Sequence, residues 1–342
     1  VNRTGTGRHE RHRLIPGWDQ DVLRSARVIV VGVGALGTEC ARLLAQAGVG
    51  GLVLCDPDTV SESNLSRGAL FRPSDVGRPK AEAAARALSE LVPDLDCEPR
   101  ASGLLSGVGL AELRDASAVV SALDSVAARL ALATRCNLVG APMLDAGTHP
   151  WGGEVRFYAP GERCFGCGLS PQQRAVRDDP WSCGSVTAVT EAGASAPVSA
   201  LVGAWLATTL LRTLFGERPA GGTVRLEPAQ GRANVVHEKR DPDCPLHEEA
   251  RPVVPVDLTA KSPVKDLLAL LQPGETALTW ASVTGDENPL AASHLLSQAP
   301  PDVSLSEVGI APRELVPVLR HRAPRSVRYL ELAPARKDPP VD

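Results

Sequence analysis

The chain has 342 residues, 43% of them hydrophobic, enough to bury a full core and to build one large domain with a smaller unit attached. Charged residues make up 22% and nearly cancel to a net charge of -4, so no general electrostatic pull towards nucleic acid or membrane surfaces is expected. The first thirteen residues are polar and charged, with no apolar run before a cleavage site, which points to a cytoplasmic protein.

Arg8-His9-Glu10-Arg11-His12-Arg13 opens the chain as a basic, solvated arm, and residues 1–25 read as an arm and helix that contribute to a dimer. Ala26 to Val31 is a short β-branched run, Ala35 to Gln46 a helical pattern and Leu52 to Leu54 a second strand. Lys80 to Leu91 reads as a helix, Ala118 to Leu123 as a strand, Val126 to Leu138 as a helix and Pro142 to Leu144 as a strand. This alternation implies an α/β fold with a doubly wound, mostly parallel, Rossmann-like sheet over residues 26–250.

After Trp151 the pattern changes. Glu154 to Tyr158 suggests a strand, Cys164 to Gly184 is polar and carries cysteines, and Ala196 to Phe215 is an apolar helix. That helix is long enough for a membrane span, but it contains Arg212 and several hydroxyl residues and stands alone, so a buried or interfacial helix is expected. Strands follow at Thr223 to Leu226 and Asn234 to His237. Prolines 252, 255, 263 and 273 then introduce residues 251–342, a small α+β appendage of unknown role.

Gly32-Val33-Gly34-Ala35-Leu36-Gly37 is a G-x-G-x-x-G that follows a strand and opens a helix. Its glycines allow a tight turn and close approach to phosphates, and the helix start supplies free N–H groups. Asp56 ends the next strand, where a carboxylate can accept ribose hydroxyls. These features alone suit an NAD-dependent dehydrogenase equally well. The next stretch separates the readings: Asp56-Pro57-Asp58-Thr59-Val60-Ser61-Glu62-Ser63-Asn64-Leu65-Ser66-Arg67, then Gly77-Arg78-Pro79-Lys80. Asn64, Arg67 and Lys80 would set an amide and two cations beside phosphates, as a departing pyrophosphate requires. Lys80 is one of five lysines in a chain that otherwise uses arginine, although a solvated first-turn lysine is the alternative.

In order and spacing, these motifs resemble the ThiF/MoeB/HesA family of adenylyltransferases, relatives of the ubiquitin-activating enzymes, over residues 8 to 248. The resemblance implies that ATP lies on Gly32, Gly34 and Gly37, with Asp56 on the ribose, Asp58 beside it, Asn64, Arg67 and Lys80 on the phosphates and Asp124 on Mg2+. Asp124 follows a strand in Ala122-Leu123-Asp124-Ser125, with a helix N-cap as its alternative role. Arg11 matches the arginine that family members place on the partner's ATP across a homodimer. Gly68 departs from the family pattern, which usually has glutamine there.

Cys164-Phe165-Gly166-Cys167 and Cys244-Pro245-Leu246-His247 form two x-x-spaced half-sites suited to a closed, structural, tetrahedral Zn2+. A redox C-x-x-C would leave Cys244 and His247 without a purpose. Cys183 lies on the loop where some family members carry a thioester-forming cysteine, but the family position aligns nearer Val189, so a packed or exposed thiol is expected. Cys40, Cys55, Cys97 and Cys136 fall in helices or at strand ends as small buried residues.

The implied reaction is attack of a carboxylate, already ionised at neutral pH, on the α-phosphorus of Mg-ATP, which gives an acyl-adenylate and pyrophosphate without a general base. By resemblance the substrate is a ubiquitin-like sulfur carrier protein ending in Gly-Gly. The alternatives are a ribosomal peptide or, against the near-neutral charge, a modified tRNA base. No cysteine follows Cys244, so the appendage is not a rhodanese.

Overall fold

The computed structural model describes residues 7–174, 193–219, 222–279, 295–320 and 326–335. Five strands, β1 (Arg27–Val31), β2 (Gly51–Cys55), β3 (Asp96–Arg100), β4 (Ala118–Ser121) and β5 (Met143–His149), run parallel in the order β3-β2-β1-β4-β5. Beyond β5 the sheet continues antiparallel through β6 (Gly152–Tyr158), β7 (Thr223–Glu227) and β8 (Arg232–Val236). The strand order reverses direction at β1 and β4, so a crevice opens at their carboxyl ends, where ligands bind in such sheets.

The helices are α1 (Gln20–Ser25), α2 (Ala35–Ala47), α3 (Lys80–Leu91), α4 (Leu104–Gly107), α5 (Leu110–Asp115), α6 (Val126–Val139), α7 (Pro171–Arg174), α8 (Ala196–Leu214) and α9 (Val264–Leu268). Successive residues of a strand point to opposite faces. Val28, Val30, Leu52, Leu54 and Leu144 therefore join one core with Leu23, Leu44, Leu88, Val202, Leu206 and Leu210 from α1, α2, α3 and α8. Ile29, Val31, Val53, Val119 and Met143 join the other with Leu110, Leu113, Leu132 and Cys136 from α5 and α6. Each fully buried Leu or Val contributes about 1.5–3 kcal/mol.

α8 is the one helix among the described residues long and apolar enough to cross a bilayer, yet Val198, Val202, Leu206 and Leu210 on its inner face belong to the core shared with α2. Gly203 lets the two helices meet, because a Cβ there would lie 2.9 Å from the Glu39 Cγ.

The remaining strands, β9 (Val253–Val256), β10 (Glu275–Ala277), β11 (Leu315–Arg320) and β12 (Ser326–Leu332), form a second sheet in the order β10-β11-β12-β9. One face, with Val316, Val318, Leu330 and Leu332, packs on Val264, Leu267, Leu296 and Ile310. The other face delivers Leu315 and Tyr329 into the core beside α5 and α6. This unit thus has a core of its own and completes part of the larger domain's.

Candidate active site

The glycine loop between β1 and α2 closes on the end of β4. Gly32 has φ of +90°, and a Cβ there would lie 2.4 Å from the Ala122 carbonyl oxygen. A Cβ on Gly37 would lie 1.9 Å from the Gly32 carbonyl oxygen, so no side chain fits. Gly34, the N-cap of α2, has nothing within 4 Å of a built Cβ and faces open space. Two of the three glycines thus shape the turn, and the third leaves room for a ligand over the helix start.

Asp56, 6% exposed at the end of β2, accepts the Val33 N–H at 2.6 Å and the Asp58 N–H at 2.9 Å. Burial raises its carboxyl above the usual range, opposed by Lys80 and by these two N–H donors. Asp56 therefore pins the glycine loop to the segment that follows β2. That segment pairs with the start of α3: Val60 N–H donates to Arg78 O at 2.8 Å and Lys80 N–H to Asp58 O at 2.8 Å. The Lys80 Nζ then forms a 2.7 Å ion pair with Asp58, with side-chain exposures of 12% and 29%. Asp58 thus holds the Lys80 ammonium at the start of α3.

Asn64 and Arg67 lie on and just after a 3-10 turn, Glu62–Ser66. The Asn64 Oδ1 accepts the Ser61 N–H at 3.0 Å, so the amide presents its NH2 as the remaining polar group. Arg67 donates to Ser63 O at 2.7 Å. The Ala69 N–H donates to the Thr38 hydroxyl at 3.2 Å, which ties the chain after Arg67 to the first turn of α2. Gly68 has a steric reason: a Cβ there would lie 2.5 Å from Phe71 Cδ2, and the Phe71 ring is buried in the core.

Asp124 is exposed in the turn between β4 and α6, two residues beyond the Ala122 that touches Gly32. The N-cap alternative for it is corrected, since Ser125 caps α6 by accepting the Ala128 N–H at 3.1 Å. Asp124 thus has no capping duty and is exposed. Arg129, on the first turn of α6, donates to Leu123 O and to Asp145, a contact that sequence reading missed because nothing marks a helix arginine as reaching back to its own loop.

Arg11 lies elsewhere. The arm packs against the far ends of three helices: Arg8 donates to Leu91 O at 2.7 Å, a Cβ on Gly48 would meet the His9 ring at 2.9 Å, and Trp18 packs at a tilt against Phe215 with ring centroids 5.4 Å apart. Gly48 closes the 13-residue α2, which at 1.5 Å per residue is about 20 Å long, so Arg11 is remote from its own chain's glycine loop. Cys183 lies outside the described residues.

Cys164, Cys167, Cys244 and His247 converge, with their ligand atoms all within 4.8 Å of one another. The Cys164 sulfur is 3.8 Å from those of Cys167 and Cys244, and the Cys167 sulfur is 3.1 Å from His247 Nε2. A tetrahedral site with metal–sulfur bonds of about 2.3 Å has sulfur–sulfur edges of about 3.8 Å, so the donor set fits Zn2+. Hydrogen bonding between Cys164 and Cys167 lowers the Cys167 thiol below its ordinary value and raises that of Cys164. Leu130, Leu169 and Leu246 enclose the cluster, as suits a closed site. Burial drives Cys40, Cys55, Cys97 and Cys136 up to about 12, so none is a thiolate nucleophile.

The ThiF family pattern matches residues 7–246. Molybdopterin-synthase adenylyltransferase of Escherichia coli is 34% identical over 224 residues, 64% of this chain and 86% of that protein. The sulfur carrier protein adenylyltransferase of Thermus thermophilus is 32% identical, over 70% of this chain and 89% of its own length, and the SAMP-activating enzyme E1 of Haloferax volcanii is 30% identical, over 72% and 90%. In fold the chain is similar to Escherichia coli MccB in its ATP complex, with a TM-score of 0.59 at 20% identity over 72% of this chain and 75% of that one.

Proposed function

Because the chain belongs to the ThiF family of ATP-dependent adenylating enzymes, we propose that this adenylyltransferase activates the C-terminal carboxylate of a ubiquitin-like sulfur carrier protein ending in Gly-Gly. The observation that carries the chemistry is the convergence of the glycine loop, Asp56 and the Asp58–Lys80 pair on one crevice, with Asp124 at its edge. Similarity to proteins named for sulfur-carrier activation supports the substrate class.

In this reading ATP lies with its phosphates over Gly34 and the start of α2, and its ribose near Asp56. Lys80, steadied by Asp58, and Arg67 oppose the charge that builds on pyrophosphate as the bond to the α-phosphorus breaks. The acceptor carboxylate is ionised at neutral pH and needs only placement. Mg2+ held by Asp124 would neutralise phosphate charge, and an exposed carboxylate oxygen sharing the ion with phosphates suits it. Zn2+ on Cys164, Cys167, Cys244 and His247 is structural in this account.

Two features support a homodimer. The outer face of α8 exposes Pro197, Ala200, Leu201, Ala204, Trp205 and Thr208, with Leu201 and Trp205 each 39% exposed. Arg11 is too far from its own crevice and is available to a partner's. Incubating the enzyme with Mg-ATP and a Gly-Gly-terminated carrier, followed by mass spectrometry of the carrier's C-terminus, tests the substrate. An adenylate on the carrier supports the reading; an adenylate formed only on a short peptide replaces the carrier with a ribosomal peptide.

A further inference from the structure

Asp145 is a carboxylate with no exposure, buried beside the crevice end of the parallel sheet. It lies on β5 and collects donors from three other elements: the Ser121 hydroxyl at the end of β4 at 2.7 Å, the Arg129 NH1 from α6 at 2.7 Å and the Arg156 NH1 from β6 at 2.9 Å. Burying an ion requires such compensation, and removal of one partner leaves an uncompensated charge. The pair is more than a filler of the core, because the second arm of the Arg129 fork points away from it. The Arg129 NH2 donates to the carbonyl oxygen of Leu123 and, at 3.0 Å, to that of Ala146. Gly147 makes room for the fork, as a Cβ there would come 3.1 Å from NH2.

The Leu123 carbonyl belongs to the peptide that leads into Asp124. On its other side the same turn is held by the glycine loop: the Ala122 N–H donates to Val31 O at 2.9 Å, and the Ala122 carbonyl abuts Gly32. The Ala122–Asp124 turn is therefore held at its Ala122–Leu123 peptide by the glycine loop and at its Leu123–Asp124 peptide by the guanidinium of Arg129, which is itself held by Asp145. A planar guanidinium with parallel donors fixes direction as well as distance; an ammonium does not.

We infer that Arg129, held by Asp145, is a positioning residue that sets the Asp124 carboxylate relative to the phosphate loop and so tunes the affinity of the site for the divalent cation of the nucleotide. The inference rests on the reading of Asp124 as the cation ligand given above. Both act through the Leu123–Asp124 peptide. Loss of an outer partner of a metal ligand costs roughly 10- to 100-fold in metal affinity.

The test uses Mn2+ as the probe, with free Mn2+ followed by electron paramagnetic resonance during titration of the 342-residue chain with ATP present, and needs no acceptor protein. The variants are Arg129→Lys, which keeps the cation and loses the fork, Asp145→Asn, and Asp124→Ala as reference. Nucleotide binding in EDTA and the melting temperature are measured beside it. The expected result for Arg129→Lys is a rise of roughly 10- to 100-fold in half-saturating Mn2+, restored by excess Mn2+, with metal-free ATP affinity within about twofold of the parent. Asp145→Asn should shift Mn2+ in the same direction. Unchanged Mn2+ affinity in Arg129→Lys while Asp124→Ala weakens it would overturn the positioning role alone. Unchanged Mn2+ affinity in Asp124→Ala would overturn the cation-ligand reading and this inference with it. A fall of metal-free ATP affinity and melting temperature in step with Mn2+ affinity would reduce the pair to a structural contact.

Discussion

Arg135 on α6 and Glu314 at the start of β11 form an ion pair of 2.6 Å in which each side chain is 1% exposed. The Arg135 NH2 also donates to Val108 O at 2.8 Å, while its Nε and NH1 are buried without partners. Burial raises the Glu314 carboxyl, and Arg135 with the Leu315 and Leu110 N–H groups offsets part of that. The C-terminal sheet is thus joined to α5 and α6 by a charge pair as well as by Leu315 and Tyr329. Glu314→Ala should destabilise the protein by about 3–5 kcal/mol, whereas Arg135→Met with Glu314→Leu should be nearly neutral. Urea unfolding of the two single variants and the double variant measures this. Truncation at residue 251 would uncover Arg135 and should destabilise the larger domain.

The glycine loop separates two kinds of substitution. Gly37→Ala places a Cβ 1.9 Å from the Gly32 carbonyl and should yield misfolded or strongly destabilised protein. Gly34→Ala meets nothing within 4 Å and should leave the unliganded melting temperature unchanged while weakening ATP binding. Thermal unfolding with and without ATP distinguishes them; an unchanged ATP affinity in Gly34→Ala would remove the phosphates from above that residue.

The fold was legible where periodicity is strong. The helix expected at Lys80 to Leu91 has those bounds, and the strands at β1, β2 and β7 lie within about two residues of expectation. β3 was not foreseen, because Asp96-Cys97-Glu98-Pro99-Arg100 is an edge strand that shows no apolar alternation and tolerates a proline. The metal cluster was readable because x-x spacing confines each pair of ligands to one turn. The Arg129–Asp145 network and the Arg135–Glu314 pair were not, since their partners lie 16 and 179 positions apart.

Removing the metal should open the cluster. Cys164→Ser or prolonged chelation is expected to release one equivalent of Zn2+ per chain and to lower stability through the segment joining Cys164 to His247, while ATP binding is lost only as the fold is lost. Metal analysis with parallel thermal unfolding checks this, and purified, fully folded protein without bound metal would contradict it.

The arm that carries Arg11 should respond to acid. The His9 Nδ1 lies 3.1 Å from the His12 Nδ1, so the two can share one proton there but cannot both carry one, and the His12 ring stacks on Trp18 at 4.6 Å. Burial first, then His12, Arg8, Arg24 and Arg13, hold the His9 pKa below its ordinary 6.5. A lowered folded-state value means that docking of the arm is fully stabilised above about 6.5 and loses that contribution as pH falls through the His9 value. Trp18 fluorescence, isolated against Trp18→Phe, should change on acidification, and His9→Gln should abolish that transition. An identical transition in His9→Gln would assign it elsewhere.

Carboxylate adenylation at the crevice of Gly34, Asp56, Lys80 and Asp124 can be measured as ATP–pyrophosphate exchange. With Gly-Gly-terminated carrier proteins as acceptors, exchange should depend on the carrier and fall by at least roughly 100-fold in Asp124→Ala. Exchange that persists in Asp124→Ala, or none with any carrier or peptide despite ATP binding, would contradict it.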